Sequence, residues 1–356
     1  VTSPSAPSRR AFLRAGLAAG AGLLVAACAA PSSSNAPTTP QAQAPATTKP
    51  SLSKVRVLYN VPQDPTFVPD LVAYTRLGDQ FGIQTDVQEI TGADASIKAL
   101  IAGQAEFALS TMASGILAVA QKQTIKAAIP AASAPYFTLV VTNDVNDWPD
   151  LAGKRVGITA TSDSSYFTTL LQLKKHGVDA GGIDWVTVRG VPARVDAMRA
   201  GKIDASQVTV GSALDLVQDP HFKRFAEVGK DFPNLLFSAY WVTDGLIHDH
   251  PDVIQAFAEA LMQEHRSAQD KTRYLAAAKP LFAGKLDEPT LAASYDLLKD
   301  MNVWDPEEAR WNAEAGAFTS QTLAEYGAVE QEVPFSAWAT TQFVDAARQK
   351  LGPYRA

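Results

Sequence analysis

A segment order that occurs twice, about 98 residues apart, constrains this 356-residue chain more than any other feature. "VRVLYN" (residues 55–60) has a counterpart in "KRVGIT" (residues 154–159), with Val57 and Val156 99 positions apart. "TDVQEITG" (residues 85–92) corresponds to "DWVTVRG" (residues 184–190), where Gly92 and Gly190 are 98 apart. "ALIAGQAEFA" (residues 99–108) is echoed by "AMRAGKIDAS" (residues 197–206) at the same spacing. Both copies end a helical stretch on Ala-Gly, the glycine serving as the expected left-handed C-cap, and after two more residues an acidic side chain opens a strand. The same register sets Thr111 opposite Thr209 and Ser114 opposite Ser212. Three matches in one register imply two similar α/β lobes.

Within the first copy, strand and helix patterns alternate. A helix is predicted over residues 68–81, a strand at "TDVQEI" (85–90), a helix at "DASIKALIAG" (94–103), a strand at "EFALS" (106–110) and a helix from Ala113. Such alternation implies parallel sheet built from βαβ units. The segments "NDVNDWPD" (143–150) and "YWVTDGL" (240–246) are read as the joins between lobes, giving residues 54–142 with 243–356 as lobe one and 143–242 as lobe two. After the second join the pattern is helical, opening at Pro251 and continuing over 288–301, 307–326 and 337–351. With those helices returning to lobe one, the chain crosses twice. Two crossings make a hinge, and a hinge makes a cleft that closes on a ligand.

Ahead of the repeat, "SRRAFLRAGLAAGAGLLVAAC" (residues 8–28) carries the only cysteine. A basic start followed by an uncharged stretch from Ala15 to Ala27 has the order of a secretory signal and is too short to span a bilayer, which needs roughly 20 apolar residues. SRRAFLR resembles a twin-arginine export signal. Val25-Ala26-Ala27-Cys28 resembles the lipobox of bacterial lipoproteins, in which the cysteine becomes a lipidated N-terminus. The expectation is a signal over 1–27 and a lipid-bearing Cys28 with a flexible tether over 28–53, since "AAPSSSNAPTTPQAQAPATTKP" (29–50) has no aromatic or large aliphatic residue to bury. The first 27 residues hold three Arg and no acid, so the 31 basic and 37 acidic side chains become 28 and 37, a formal charge of −9. An acidic chain of this kind is a poor nucleic-acid binder, because phosphates ask for a basic patch.

With the residues quoted so far, "DLAGKRVGI" (150–158), "ARVDAMRAGKIDA" (193–205) and "HPDVIQAFAEAL" (250–261) make the chain, over roughly residues 55–348, resemble the periplasmic substrate-binding proteins of ABC importers. The group is the one that includes nitrate, sulfonate and taurine binders and binders of thiamine-pyrimidine precursors. The resemblance implies an α/β, two-lobed type II binding-protein fold with two crossovers, a permease and an ATPase as partners, no cofactor, and an exported, lipid-anchored monomer on the outer face of the cell membrane or its periplasmic side. A sensory module that docks on a receptor remains a second implication.

The site follows from the strands. In parallel sheets ligands sit beyond the carboxyl ends of strands, where the next helix presents unpaired N–H groups. This selects Asn60 and Pro62 with Phe67 nearby, Thr111 and Met112, the turn Ser162, Asp163, Ser164, Ser165 and Tyr166, and Thr209 with Val210. Tyr136 and Trp241 flank the expected crossings, where they stack on a ligand or pack the hinge, and N-capping competes as the role of the three serines. Hydroxyls at a helix N-terminus favour a small organic anion such as a sulfonate, a carboxylate or a nitrate-like ion. Asp163 favours it only as a cap; facing the cleft it suits a pyrimidine-like heterocycle with N–H donors, and the aromatic residues around it suit an organic ligand. No GxSxG, HExxH or P-loop pattern is present, and the HxH pair His248 and His250 has no third histidine or cysteine near it, so neither an enzyme nor a metal site is expected.

Overall fold

The computed structural model describes residues 50–60 and 64–355. The strands are β1 (Lys54–Tyr59), β2 (Gln84–Glu89), β3 (Phe107–Thr111), β4 (Ile125–Ala132), β5 (Phe137–Thr142), β6 (Arg155–Ile158), β7 (Asp184–Thr187), β8 (Ala205–Thr209), β9 (Phe222–Glu227) and β10 (Ser238–Thr243). Between them lie helices α1 (Val68–Phe81), α2 (Ala93–Ile101), α3 (Met112–Ala120), α4 (Ser164–Lys175), α5 (Val191–Arg199), α6 (Val210–Leu216) and α7 (Val228–Asp231). The C-terminal part is helical, with α8 (Asp244–Asp249), α9 (Pro251–Ser267), α10 (Lys271–Phe282), α11 (Glu288–Asp300), α12 (Ala313–Glu325), α13 (Phe335–Trp338) and α14 (Gln342–Leu351). Among the described residues, no helix is long and apolar enough to cross a membrane.

The strands form two five-stranded sheets, ordered β2-β1-β3-β10-β4 and β7-β6-β8-β5-β9. Exchanging each strand for its repeat partner turns one order into the other, and the pairing follows the sequence offset. Val57 faces Val87 and Phe107 in the first sheet, while Val156 faces Trp185 and Ala205 in the second. At the same relative place, Arg56 binds Glu106 and Arg155 binds Asp204, each through backbone N–H and guanidinium. These pairs are partly exposed and contribute little stability each, but they fix how β1 meets β3 and how β6 meets β8.

Two features differ from the sequence reading. β10 and β5 run antiparallel to their neighbours, so each sheet is mixed rather than wholly parallel. Because β5 belongs to the second sheet and β10 to the first, the chain changes sheets at residues 133–136 and 232–237, ahead of positions 143 and 242. The chain nevertheless crosses where it is buried, with Ala134, Tyr136, Leu235 and Phe237 all below one-tenth exposed, and only Pro233 and Asn234 of the second crossing are exposed.

Side chains converge on those crossings. Tyr136 packs edge-on against Phe67, Phe137 and Phe237 with ring centroids 5.0–5.2 Å apart. Ser133 donates its hydroxyl to Glu308 at 2.8 Å, and Glu308 in turn pairs with the buried His265. Burial works against charge on His265, but the carboxylate of Glu308, together with those of Asp70 and Asp305, raises the imidazole above its ordinary value. The first crossing is thereby tied to α9 and to the segment between α11 and α12.

Candidate functional site

A cleft of about 460 Å³ lies between the two sheets. The first sheet lines it with Tyr59 and Asn60 from the end of β1, with Thr111 from the end of β3, and with the Thr91-Gly92-Ala93 turn that starts α2. Opposite stand Thr159 and Asp163–Ser164 after β6, Thr209 from the end of β8, and residues 189–194, which start α5. Tyr136 and Phe137 close the side where the chain crosses. The lips touch, since Thr91 Cγ2 is 3.3 Å from where a Cβ on Gly190 would stand.

Both lips are built alike. Gly92 and Gly190 are the N-caps of α2 and α5, with φ of 101° and 85°, a region where side-chain-bearing residues are strained. Neither glycine supplies a side-chain acceptor, so the ends of two nine-residue helices border the cleft without a side-chain cap, α2 with the N–H groups of its first turn and α5 with those of Val191 and Ala193, since Pro192 has none, together with the positive ends of both helix dipoles.

Arg194 dominates the electrostatics. It lies in the first turn of α5, 1% exposed, and donates Nε to Ser206 Oγ at 3.0 Å, Nη2 to the Gln207 carbonyl at 3.0 Å and Nη1 to Thr159 Oγ1. These bonds use three of its five N–H groups. Burial lowers its pKa to about 10 and the field of Asp163 works the other way, so the guanidinium is charged at neutral pH. No carboxylate of the described residues lies within ion-pairing distance of it. Lobe one shows what this position needs structurally. Its counterpart, 98 residues earlier, is Ser96, whose hydroxyl donates at 2.9 Å to the carbonyl of Leu109, itself the counterpart of Gln207. A neutral serine therefore ties helix to strand in lobe one, and lobe two does the same with a buried charge.

Of the residues selected from sequence, Asn60, Thr111, Tyr136, Asp163, Ser164 and Thr209 line the cleft. Asp163 both caps and lines. Its Oδ1 accepts from Ser165 N at 3.0 Å and Ser165 Oγ at 2.9 Å, while its side chain, 5% exposed, stands on the wall near Arg194.

The others lie off the wall. Phe67 stands behind it against Tyr59 and Tyr136. Met112 is buried and gives its backbone N–H to Phe237 O at 2.8 Å, and Val210 is core. Ser162 is exposed on a separate surface hollow. Ser165 is consumed by Asp163 and by Thr159 N, and Tyr166 packs on Trp185. Trp241 is fully buried against α3 and Trp338, because β10 is a central strand of the first sheet rather than a join. Pro62 and Cys28 lie outside the described residues. Sequence reasoning missed Arg194, although it stands in the segment ARVDAMRAGKIDA (193–205) that carries the family resemblance. Setting Ser96 opposite Arg194 at the 98-residue offset was the signal available.

The family model described as NMT1/THI5 like matches residues 79–271, more than half of the chain. The chain belongs to the NMT1/THI5-like family. No curated protein matches it. Among solved structures, the aliphatic sulphonate binding protein SsuA from Escherichia coli is similar with a TM-score of 0.62 and 17% identity, over 81% of this chain and 92% of that one. The nitrate-binding protein NrtA from Synechocystis PCC 6803 gives a TM-score of 0.67 and 10% identity, over 85% and 90%. The ligand-binding component of an ABC-type import system from Staphylococcus aureus gives 0.68 and 13%, over 83% and 98%. At such identities the likeness establishes the fold of this family member, the two-lobed periplasmic binding protein.

Proposed function

We propose that this NMT1/THI5-like protein is the solute-binding component of an ABC importer, and that its interlobe cleft captures a small organic anion and hands it to a permease. Arg194 carries the reading. A buried guanidinium is costly to desolvate, serves a structural need that Ser96 meets without charge, and keeps two N–H groups free on a wall where two uncapped helix ends also point. Together these are the donors that a carboxylate, sulfonate or phosphate oxygen accepts from. The sulphonate and nitrate binders among the similar structures are in keeping with it. The reading is one of capture rather than catalysis.

Asp163 on the same wall supports a second reading, a pyrimidine-like heterocycle whose ring N–H groups meet the carboxylate. A thermal-shift screen of sulfonates, carboxylates, nitrate and pyrimidines separates the two. At about 100 times its dissociation constant, the correct solute stabilises the fold by roughly 2.7 kcal/mol. A response confined to neutral pyrimidines removes the anion reading, and silence across the whole set removes both.

Export and anchoring complete the proposal. A lipidated Cys28 at the end of a signal would hold the binding domain at the membrane surface through acyl chains, each buried methylene contributing about 0.8 kcal/mol. Cys28→Ser is expected to leave solute affinity unchanged and to move the exported protein from the membrane fraction to the soluble one. Continued membrane retention of that variant would mean that something other than a lipid on Cys28 anchors the chain.

A further inference from the structure

Lobe two has apolar cores of its own, one around Met198, Val208 and Leu216 and another around Leu139, Val156 and Leu173. Phe167 and Leu171 of α4 belong to neither. Although α4 is a lobe-two helix, both side chains are buried, and they are buried in the core that extends through lobe one. Together with Lys174 they occupy positions i, i+4 and i+7 of the helix, so they form one stripe along it.

The element that receives this stripe is α12. It packs on α3 and α13, which rest on β4, and so belongs to lobe one. Its own stripe at the same spacing is Thr319, Leu323 and Tyr326. Thr319 Oγ1 accepts the N–H of Leu236 in the second crossing at 3.0 Å. Leu323 is fully buried and shares with Phe167 a crevice of only about 10 Å³, the space of roughly one water at most. Tyr326 meets Phe167 edge-on with ring centroids 6.3 Å apart, and Lys174 Nζ stands 4.2 Å from the centre of the same Tyr326 ring. The contact thus begins at the hinge and runs outward for roughly 10 Å, the rise of seven helical residues.

We propose that α12 is a strap between the lobes, which holds α4 through these matched stripes and biases the cleft toward closure before any solute contributes. The physical reason is where the apolar side chains go. Swinging α4 away from α12 would expose Phe167 and Leu171 to water, and lobe two's own cores, already filled by other residues, do not contain them. It would also lift Lys174 off the Tyr326 ring. Burial therefore favours the arrangement in which the lips at Thr91 and Gly190 touch. The apolar middle of the strap supplies most of the bias, while the exposed lysine and the half-buried tyrosine at its outer end adjust it. This inference goes beyond the choice of solute and does not depend on Arg194, so the anion reading stands or falls separately.

Distances between two nitroxide labels test this on the full chain without added solute. Cys28→Ser removes the only cysteine, and Lys98→Cys on α2 with Lys202→Cys just after α5 place one label on each lobe at exposed positions. The parent is expected to show a dominant short distance and a minor longer one. Lys174→Met is expected to raise the open-to-closed ratio about two- to fivefold, the worth of one exposed cation–π contact. Tyr326→Ala, which also removes the ring from Phe167, is expected to raise it about tenfold. Tyr326→Phe keeps the ring and is expected to leave the ratio within error of the parent. Should Tyr326→Ala fail to fold, the exposed Lys174→Met carries the test. A parent found mainly at the long distance, or a ratio that neither Lys174→Met nor Tyr326→Ala changes, overturns the strap, as does a Tyr326→Phe that opens as far as Tyr326→Ala.

Discussion

Replacing Arg194 by methionine is expected to weaken binding of an anionic solute between about 30-fold and a few thousand-fold. This is the range set by the roughly 2–5 kcal/mol lost when one partner of a buried, hydrogen-bonded charge pair is truncated. Two effects add. The solute's oxygens lose the two N–H groups that the protein leaves free on this side chain, and Asp163 remains as the nearest buried charge on the wall, so the local field turns from favouring an anion to opposing one. Arg194→Lys separates them. Lysine restores the sign of the charge but not the planar fork that holds Ser206, Thr159 and the Gln207 carbonyl while pointing at the cleft, and it is expected to fall between methionine and arginine. Stability moves far less than affinity, because removing a costly buried cation offsets the bonds left unpaired at Ser206 and Gln207. Titration calorimetry with the solute found by screening, alongside denaturation of each variant, checks both. An Arg194→Met protein that folds and binds its anion with unaltered affinity would remove the charge from the mechanism.

The sequence carried the architecture because architecture follows from periodicity, and the repeat doubled that signal. The register at which Val57 meets Phe107 and Val156 meets Ala205 is the offset at which the two copies align as text, so the shared order of β2-β1-β3 and β7-β6-β8 was readable. What was not readable is whatever depends on a strand's neighbours across space. β5 and β10 look like the closing strands of one lobe; each is the strand by which the chain enters the other sheet, and only pairing reveals that. The site was half legible for the same reason. Rules about strand ends found Asn60, Thr111, Asp163, Ser164 and Thr209, which are backbone-determined positions. They did not find Arg194, which reaches the cleft from a helix by threading its side chain under the strand ends, past Gly157, where a Cβ would stand 3.6 Å from its Cδ. Nor could they tell Tyr136, on the wall, from Trp241, behind it.

Trp241 marks that last distinction with a second large effect, this time on stability. Trp241→Ala is expected to destabilise the fold by about 3–5 kcal/mol, the usual cost of deleting a fully buried large aromatic side chain and leaving a cavity. Solute affinity of the folded fraction is expected to stay as it was. The reason is the packing of α3 on β10. At Gly115 the helix comes so close that an added Cβ would sit 2.0 Å from Trp241 Cζ2, and Trp338 packs on the same indole with ring centroids 6.4 Å apart. The indole is therefore a spacer between helix and sheet. Gly115→Ala should destabilise as well, by about 1–3 kcal/mol for overpacking, and Trp241→Phe should relieve part of that cost because the smaller ring vacates the contested volume. The two changes should thus be less damaging together than the sum of each alone, a coupling that a double-mutant cycle in denaturant measures directly. Strict additivity would deny the contact, and a loss of solute affinity in Trp241→Phe at full stability would return the indole to the binding site. The hinge aromatics and the core aromatics have separate duties, because α3 reaches the cleft only through Thr111 at its N-terminus while Gly115, one turn further on, is already pressed into the core.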